Sequence, residues 1–385
     1  MTRTATILLT TSYPQSGDGS EAAGSFVRDI AQRMSRDREV RIVAPGTREG
    51  VDGEPSLQVW RFAAGVRALS LLDARNPLDW VAILRTLASM RRQALRASAD
   101  GKVAHIYALW VLPSGWAARV VARRWSIGYS VWALGSDIWT LGRLPLARSL
   151  LAKVARDADH AFADGLALAR DGAKLSSRPF AFLPSTRAIP VSGYGPARTA
   201  PPYRLAFLGR WHPNKGIDLL CEALAQLDDS AWSRIEVVRI HGGGGLAPLV
   251  ERGVRALQEK GRPVEVTGYL DKDESIRALA NADWLVIPSR VESIPLVFSD
   301  AVKIGLPVVT TPVGDLRELV LEGDGCGVVA ADVSAAAIAQ AIVVALESSP
   351  ADYRDGLRVM AAKFDLDQVV RMLVQAGGLP DAASN

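Results

Sequence analysis

Two series of short apolar runs, each alternating with amphipathic segments, constrain this chain more than any other feature. The first series comprises residues 6–10, 40–44, 103–107 and 129–133; the second comprises 204–208, 235–240, 264–266, 284–287 and 308–310. Short apolar runs bounded by turn residues fit strands buried on both faces. Between them apolar residues recur at helical spacing, as in Phe26, Ile30 and Met34, with Val27 beside them, and in Ile217, Leu220, Leu224 and Leu227. Strands that alternate with helices predict parallel sheets covered on both faces. The expected fold class is therefore α/β, with two doubly wound, Rossmann-like units.

Length supports two units: 385 residues exceed one ordinary core, since domains usually run about 100–200 residues. The segment 191–204 is dense in Gly and Pro, which suits a linker. The expected division is 1–195, then 204–365, with an amphipathic segment in 366–385 crossing back to the first unit. Ligands of doubly wound sheets sit at the carboxyl ends of the strands, so two facing units predict an interdomain cleft. Two local expectations follow. Pro45-Gly46 should stop the second strand, and residues 79–96 should form a helix with Val81, Leu84 and Ala88 on its apolar side and several arginines opposite.

Composition bounds the chemistry. A hydrophobic fraction of 49% with 22% charge is globular. The net charge of +4 is mildly basic and fits an anionic ligand or surface. Cys221 and Cys326 are the two cysteines, too few for a disulfide framework or a thiolate metal cluster, and they point to a reducing, cytoplasmic setting. The N-terminal apolar run is too short for a signal peptide, and no run approaches the roughly 20 apolar residues of a spanning helix. Any membrane contact is expected to be peripheral. Arg85, Arg91, Arg92, Arg96 and Lys102, with Trp80, Leu84 and Leu87, could dock on anionic lipid or form a solvated basic face. Nucleic acid is not an expected partner, because the basic residues are scattered and lack interleaved aromatics.

Three segments carry chemistry. Arg210 and Lys215 follow the strand 204–208, flanked by Gly209 and Gly216. A guanidinium and an ammonium at a strand end suit an anionic diphosphate, although solvated loop cations look the same. Glu292 precedes Pro295 and a helical pattern, so the amides of Ile294, Leu296 and Val297 are expected to face an anion. Glu292 would accept hydrogen bonds from sugar hydroxyls, and Asp300 would chelate a ribose. The plainer alternative is a carboxylate that complements a helix dipole, plus a surface aspartate. His241 opens a run of four glycines that includes Gly243. Its spacing, with Glu265 about 20 residues on, also fits a dinucleotide fingerprint and leaves a nicotinamide enzyme as an alternative. His105 reads as structural and His212 as a neighbour of the cation pair. His160 and His241 have no carboxylate or cysteine partners at ligand spacing, so no metal is expected.

Taken together, these segments resemble the donor-binding domain of the retaining glycosyltransferases of family 4, which have the GT-B fold. Arg210-x4-Lys215-Gly216 matches that family's cation pair, and Glu292-x7-Asp300 matches its Glu-x7-Glu signature with Asp in the second place. Gly305-Leu-Pro-Val-Val309 and Thr311-Pro-Val-Gly314 match the run that closes the site. In the first half, Tyr13-Pro14 through Arg28 resembles the glycine-bearing loop, with Gly24 as the close approach to donor phosphates. Leu134-Gly135-Ser136-Asp137 matches a His-Gly-Ser-Asp run with Leu134 in the histidine's place, and Tyr107 stands where a His-x-His begins. The resemblance implies transfer of a hexose, with retention, from a UDP- or GDP-linked sugar to a saccharide or lipid-linked saccharide, as in cell-envelope or exopolysaccharide synthesis. It implies Arg210, Lys215 and Glu292 as catalytic residues, and Gly24, Gly209, Gly243, Ile294, Leu296, Val297 and Asp300 as donor contacts. Tyr107, Ser136 and Asp137 are candidate sugar or acceptor contacts; Ser136 and Asp137 equally fit a helix cap. No cofactor is expected beyond the donor itself, and the location is cytoplasmic, with the inner face of the plasma membrane as an option. Leu134 also motivates the alternative of a non-catalytic nucleotide-sugar-binding homologue.

Overall fold

The computed structural model describes residues 4–14, 24–65, 76–189 and 198–379. The first part of the chain forms β1 (Ala5–Leu9), α1 (Ser25–Met34), β2 (Glu39–Gly46), β3 (Gly50–Glu54), β4 (Leu57–Ala63), α2 (Pro77–Ala97), β5 (Val103–Leu109), α3 (Ser114–Trp125), β6 (Gly128–Ala133), α4 (Ser136–Trp139), α5 (Pro145–Asp157), β7 (His160–Ala163), α6 (Leu166–Ser176) and β8 (Ala181–Phe182). The second forms β9 (Tyr203–Arg210), α7 (Ile217–Gln226), α8 (Asp229–Ser233), β10 (Ile235–Gly243), α9 (Ala247–Glu259), β11 (Val264–Thr267), α10 (Lys272–Ala280), β12 (Trp284–Ile287), α11 (Leu296–Ile304), β13 (Val308–Thr310), α12 (Leu316–Val320), β14 (Gly327–Val329), α13 (Ala335–Glu347), α14 (Arg354–Lys363) and α15 (Leu366–Ala376). The chain divides into two compact units, one reaching to Pro184 and resuming at Leu366, the other running Ser185–Asp365. Residues 191–197, half of the linker expected at 191–204, lie outside the described residues.

The first unit has a sheet in the order β3-β4-β2-β1-β5-β6-β7-β8. Its pairs are parallel except β3 with β4. The second has the order β11-β10-β9-β12-β13-β14, parallel throughout. Both sheets begin in the middle and wind outward in both directions, so the strand order reverses between β1 and β5 and again between β9 and β12. Each sheet is sandwiched by helices over its own apolar core. Ile7, Ile106 and Val131 meet Ala117 and Val154 in the first, and Leu205, Val238 and Trp284 meet Leu220 and Ile342 in the second. Cys221 and Cys326 are separate buried thiols, and burial pushes their pKa values up to about 11 and about 12.

Two local expectations are corrected. β2 does not stop at Pro45-Gly46; Pro45 pairs in register with Phe62 and Gly46 with Ala63. β1 ends opposite Val43, so beyond that point β2 has β4 alone beside it, and a missing proline N–H is tolerated where a strand has one neighbour. α2 is rotated from its expected orientation. Thr86, Ser89, Met90, Gln93, Ala94 and Ala97 face inward, while Val81, Leu84 and Ala88 are exposed. The inward polar groups are satisfied: Ser89 Oγ accepts from the Ala63 amide at 2.9 Å and donates to Glu49 at 2.8 Å.

α15 belongs to the first unit. Val369, Val370, Leu373 and Val374 are buried, Asp367 pairs with Arg33 of α1, and the Tyr107 hydroxyl donates to the Leu373 carbonyl at 2.6 Å.

Candidate active site

The reversal between β9 and β12 places two loops side by side at the carboxyl edge of the second sheet, where doubly wound folds bind ligands. Arg210 is the last residue of β9; it is exposed and forms no ion pair among the described residues. The chain then makes a tight turn, Pro213–Lys215, in which His212 Nδ1 accepts from the Asn214 amide at 3.2 Å. His212 therefore caps the turn that carries Lys215. Gly216 follows at φ 66°, and a Cβ there would lie 1.8 Å from the Pro288 carbonyl oxygen. Only glycine lets this loop press against the loop after β12.

That contact brings Lys215 onto Glu292. Their side chains form an ion pair, and Ser289 Oγ donates to the same carboxylate oxygen at 3.3 Å. Arg290, which the sequence reading passed over, braces the arrangement. Its guanidinium grips Asp218 of α7 at 2.7 and 2.6 Å and donates to the Pro213 carbonyl at 2.8 Å, while its amide donates to the Asn214 carbonyl at 2.8 Å. A third loop closes on the same place. Thr311 Oγ1 donates to the Ser289 carbonyl at 2.6 Å, and a Cβ at Gly314 (φ 56°) would lie 2.3 Å from the Glu292 carbonyl oxygen. Lys215-Gly216, Glu292 and Thr311-x-x-Gly314 are thus one packed assembly from three adjacent strands.

α11 begins at Leu296, with Pro295 as its extended N-cap and no side-chain cap. The first-turn amides of Leu296 and Val297 are therefore uncapped by any side chain, next to Glu292 in sequence. Ile294 lies before the helix and its side chain is buried, so it serves as an apolar anchor. Asp300 differs from expectation: it is fully buried, and Arg187 grips its carboxylate, with Arg187 Nε to Asp300 Oδ1 at 3.3 Å. On the next turn Lys303 donates to Thr186 Oγ1 and, at 2.7 Å, to the Arg187 carbonyl. The structure thus gives Asp300 an internal cation as partner instead of an open face for ribose.

The first-unit candidates also find other partners. Gly24 caps α1 at φ 75°, where a Cβ would lie 2.3 Å from the Ser12 carbonyl oxygen. Tyr107 is buried with its hydroxyl spent on α15. It is not an open sugar contact. Asp137 is fully buried and accepts from the amides of Val111, Leu134 and Ile138 at 2.7, 3.3 and 3.1 Å. It ties the loops after β5 and β6 together, and burial raises its pKa to about 6 against those hydrogen bonds. It too is not open to a ligand, whereas Ser136 is exposed. His105 is buried with Nε2 2.8 Å from Ser130 Oγ; burial first, then His160, lowers its pKa to about 4.

The glycine run after β10 is held by its surroundings. Gly243 lies in register with Arg210 of β9, Trp211 donates its amide to the Gly243 carbonyl at 2.7 Å, and Tyr269 covers it. Gly209, two residues before Trp211, has a Phe207 ring atom 3.4 Å from where its Cβ would be. Glu265, the ribose partner of the dinucleotide alternative, is paired with Arg239 at 2.9 Å. Among the described residues, no cluster of three or more His, Cys, Asp and Glu side chains is arranged to hold a metal ion, and no helix is long and apolar enough to cross a membrane.

These features define an α/β protein with two Rossmann-like units of the GT-B type and a cation-carboxylate site in the second unit. Residues 202–348 match the family model for glycosyl transferases group 1. Glycogen synthase of Thermus thermophilus is 34% identical over 155 residues, which cover 38% of this chain and 34% of that protein. The match thus spans about a third of the relative's own length. At the level of fold the likeness extends over the whole chain. Sucrose-phosphate synthase from Thermosynechococcus elongatus superposes with a TM-score of 0.73 at 18% identity, covering 97% of this chain and 98% of the other. Anabaena HepE in complex with UDP superposes with a TM-score of 0.70 at 16% identity over the same shares.

Proposed function

We propose that this protein is a retaining glycosyltransferase that moves a hexose from a nucleoside diphosphate sugar to a saccharide or lipid-linked saccharide. The observation that carries the reading is the Lys215–Glu292 ion pair at the strand reversal between β9 and β12, with Arg210 ending β9 and the uncapped first turn of α11 following Glu292 in sequence. UDP, bound by the Anabaena neighbour, is the first donor nucleotide to test. In the reaction the bond from the anomeric carbon to the diphosphate oxygen breaks, and a bond to the acceptor oxygen forms on the same face. The acceptor's proton passes to the departing phosphate oxygen. Arg210 and Lys215 stabilise the charge that grows on the diphosphate, with the amides of Leu296 and Val297 adding the helix N-terminal dipole. Glu292, restrained by Lys215 and Ser289, holds sugar hydroxyls. The exposed side of α2, with Trp80, Val81, Leu84, Arg85 and Arg91, is the surface that would meet anionic lipid bearing the acceptor.

Calorimetric titration with UDP, GDP and ADP, alongside Arg210→Ala, tests the donor site. One nucleotide should bind, at least about tenfold more weakly in the variant, a loss of about 1.4 kcal/mol. Binding of none of the three would defeat the donor-site reading. Binding without transfer or donor hydrolysis, for every acceptor tried, would favour the non-catalytic homologue motivated by Leu134.

A further inference from the structure

We infer that the first half of α5 is a second lipid-docking segment and that, with α2, it seats the first unit on an anionic membrane at two separated points. It rests on the lipid contact proposed for α2 and adds residues that have no part in the donor site. Leu146 is 90% exposed, the most exposed large hydrophobic side chain among the described residues, and Leu150, one turn on, is 38% exposed. A lone leucine on a surface is ordinary. Here the two stand at i and i+4, with Lys153 at i+7, so they share the outward side of the helix, while Leu151, Val154 and Ala155 hold the inward side. Cations accompany them without acids: residues 138–156 contain Arg143, Arg148, Lys153 and Arg156 and no Asp or Glu. Arg143, Arg148 and Lys153 are exposed and form no ion pair among the described residues. Arg119 and Arg123 of α3, by contrast, are spent on Asp157.

The topology puts α5 and α2 on one face of the first sheet and at the same end of it. α2, α3 and α5 connect β4 to β5, β5 to β6 and β6 to β7, and those connections all step the same way across the sheet. Right-handed crossovers then place the three helices on one face, with α3 packed against both α2 and α5. Each helix starts beyond the carboxyl end of the strand before it, so all three open at the carboxyl edge. Packed helices lie about 8–10 Å apart, so the openings of α2 and α5 stand roughly 16–20 Å apart. Trp80, Val81, Leu84 and Arg85 lie in the first half of α2, and Leu146, Arg148 and Leu150 in the first half of α5. Two apolar and basic spots at that separation suit a broad anionic surface better than one small ligand. The apolar side chains enter the headgroup region of a bilayer while the cations meet lipid phosphates.

The test is co-sedimentation of the full chain with vesicles of phosphatidylcholine alone and of phosphatidylcholine mixed with phosphatidylglycerol. One variant combines Leu146→Ser and Leu150→Ser; another combines Arg143→Gln, Arg148→Gln and Lys153→Gln. Trp80→Ser with Leu84→Ser reports on α2, and melting temperatures check folding. Wild type should partition onto the anionic vesicles at least about tenfold more strongly than onto the neutral ones, and each α5 variant should lose at least about fivefold of that partitioning with unchanged melting. Equal partitioning of wild type onto both kinds of vesicle overturns the inference. So do α5 variants that partition within about twofold of wild type; if the α2 variant then loses binding, the α2 contact stands alone. Wild type that ignores both kinds of vesicle overturns both contacts and leaves an acidic protein as the occupant of this face. Titration of the α5 variants with UDP, GDP and ADP should match wild type, so that failure at the membrane is separate from failure of the donor site.

Discussion

Asp300 stands one methylene short of the glutamate in the signature that it resembles, and its carboxylate is engaged inside the second unit. Asp300 is buried with Arg187, and the pair ties the segment that opens the second unit to α11. Removing one member of a buried pair leaves the other charged and uncompensated, which costs about 3–5 kcal/mol. Asp300→Asn should therefore lower the melting temperature of the second unit strongly. Its nucleotide affinity, measured where it is folded, should stay within about threefold of wild type. Lost affinity with unchanged melting would put this carboxylate on the ribose after all. His105 gives a pH-dependent counterpart. Its pKa is about 4 in the folded protein, below the value near 6.5 of an exposed histidine. The unfolded chain takes up this proton first, so the contribution is complete above about pH 6.5 and is lost as pH falls towards 4. Asp137 opposes it, because its raised pKa of about 6 makes the folded state take up a proton first between about pH 6 and 4. His105→Asn should remove the acid-destabilising part, leaving melting temperatures that fall less, or rise, between pH 6.5 and 4.5. An unchanged pH profile would mean that His105 is already charged in the folded state. Lys215 and Glu292, which the sequence singled out 77 residues apart, do meet in the structure. The partners of Asp300, Tyr107 and Asp137 were not legible in the sequence, since Arg187, Leu373 and Val111 meet them through tertiary packing that no local pattern encodes.

At the scale of elements, strands were easier to read than faces. Buried parallel strands announce themselves as apolar runs, and each run expected from the sequence lies within or largely overlaps an observed strand. The edge strand β3 is exposed along its whole length and has no such signature. α2 shows why faces are harder. Its apolar residues Val81, Leu84 and Ala88 share one side, yet Ser89, Gln93 and Thr86 are the side chains that pack inward, with Ser89 bonded to β4 and to Glu49. Trp80, Val81 and Leu84 are then 54%, 56% and 62% exposed. Arg92 and Arg96 are spent on Glu49, which leaves Arg85 and Arg91 as the exposed cations of this helix for lipid. Apolar burial in the interface plus roughly 1 kcal/mol per basic residue at an anionic surface would hold such a helix on a membrane. Replacing Trp80 and Leu84 together by Ser should sharply reduce co-sedimentation with vesicles containing anionic lipid while leaving melting unchanged. Wild-type protein that ignores anionic vesicles would remove the proposed membrane contact, and the nucleotide site would stand without it.

For the whole molecule, the order of the chain and the division into units disagree. The second unit is complete at Asp365, and the residues after it belong to the first. The amphipathic repeat in 366–374 is plain in the sequence, but its receptor is not. One of its anchors is a tyrosine hydroxyl 266 residues earlier in the chain, bonded to the Leu373 carbonyl. Four buried aliphatic side chains on α15, each stabilising by about 1.5–3 kcal/mol when fully buried, are large beside a typical domain stability of about 5–15 kcal/mol. A chain ending at Asp365 should therefore unfold its first unit at a much lower temperature. The second unit keeps every residue of the site from Arg210 to Gly314 and should still bind the nucleotide within about threefold of the full chain. Tyr107→Phe is the mild version, since it removes one hydroxyl-carbonyl bond worth about 0.5–1.5 kcal/mol and no packing. If truncation abolished nucleotide binding and left the first unfolding transition where it was, α15 would owe its place to the second unit, and the division of the chain drawn here would be wrong.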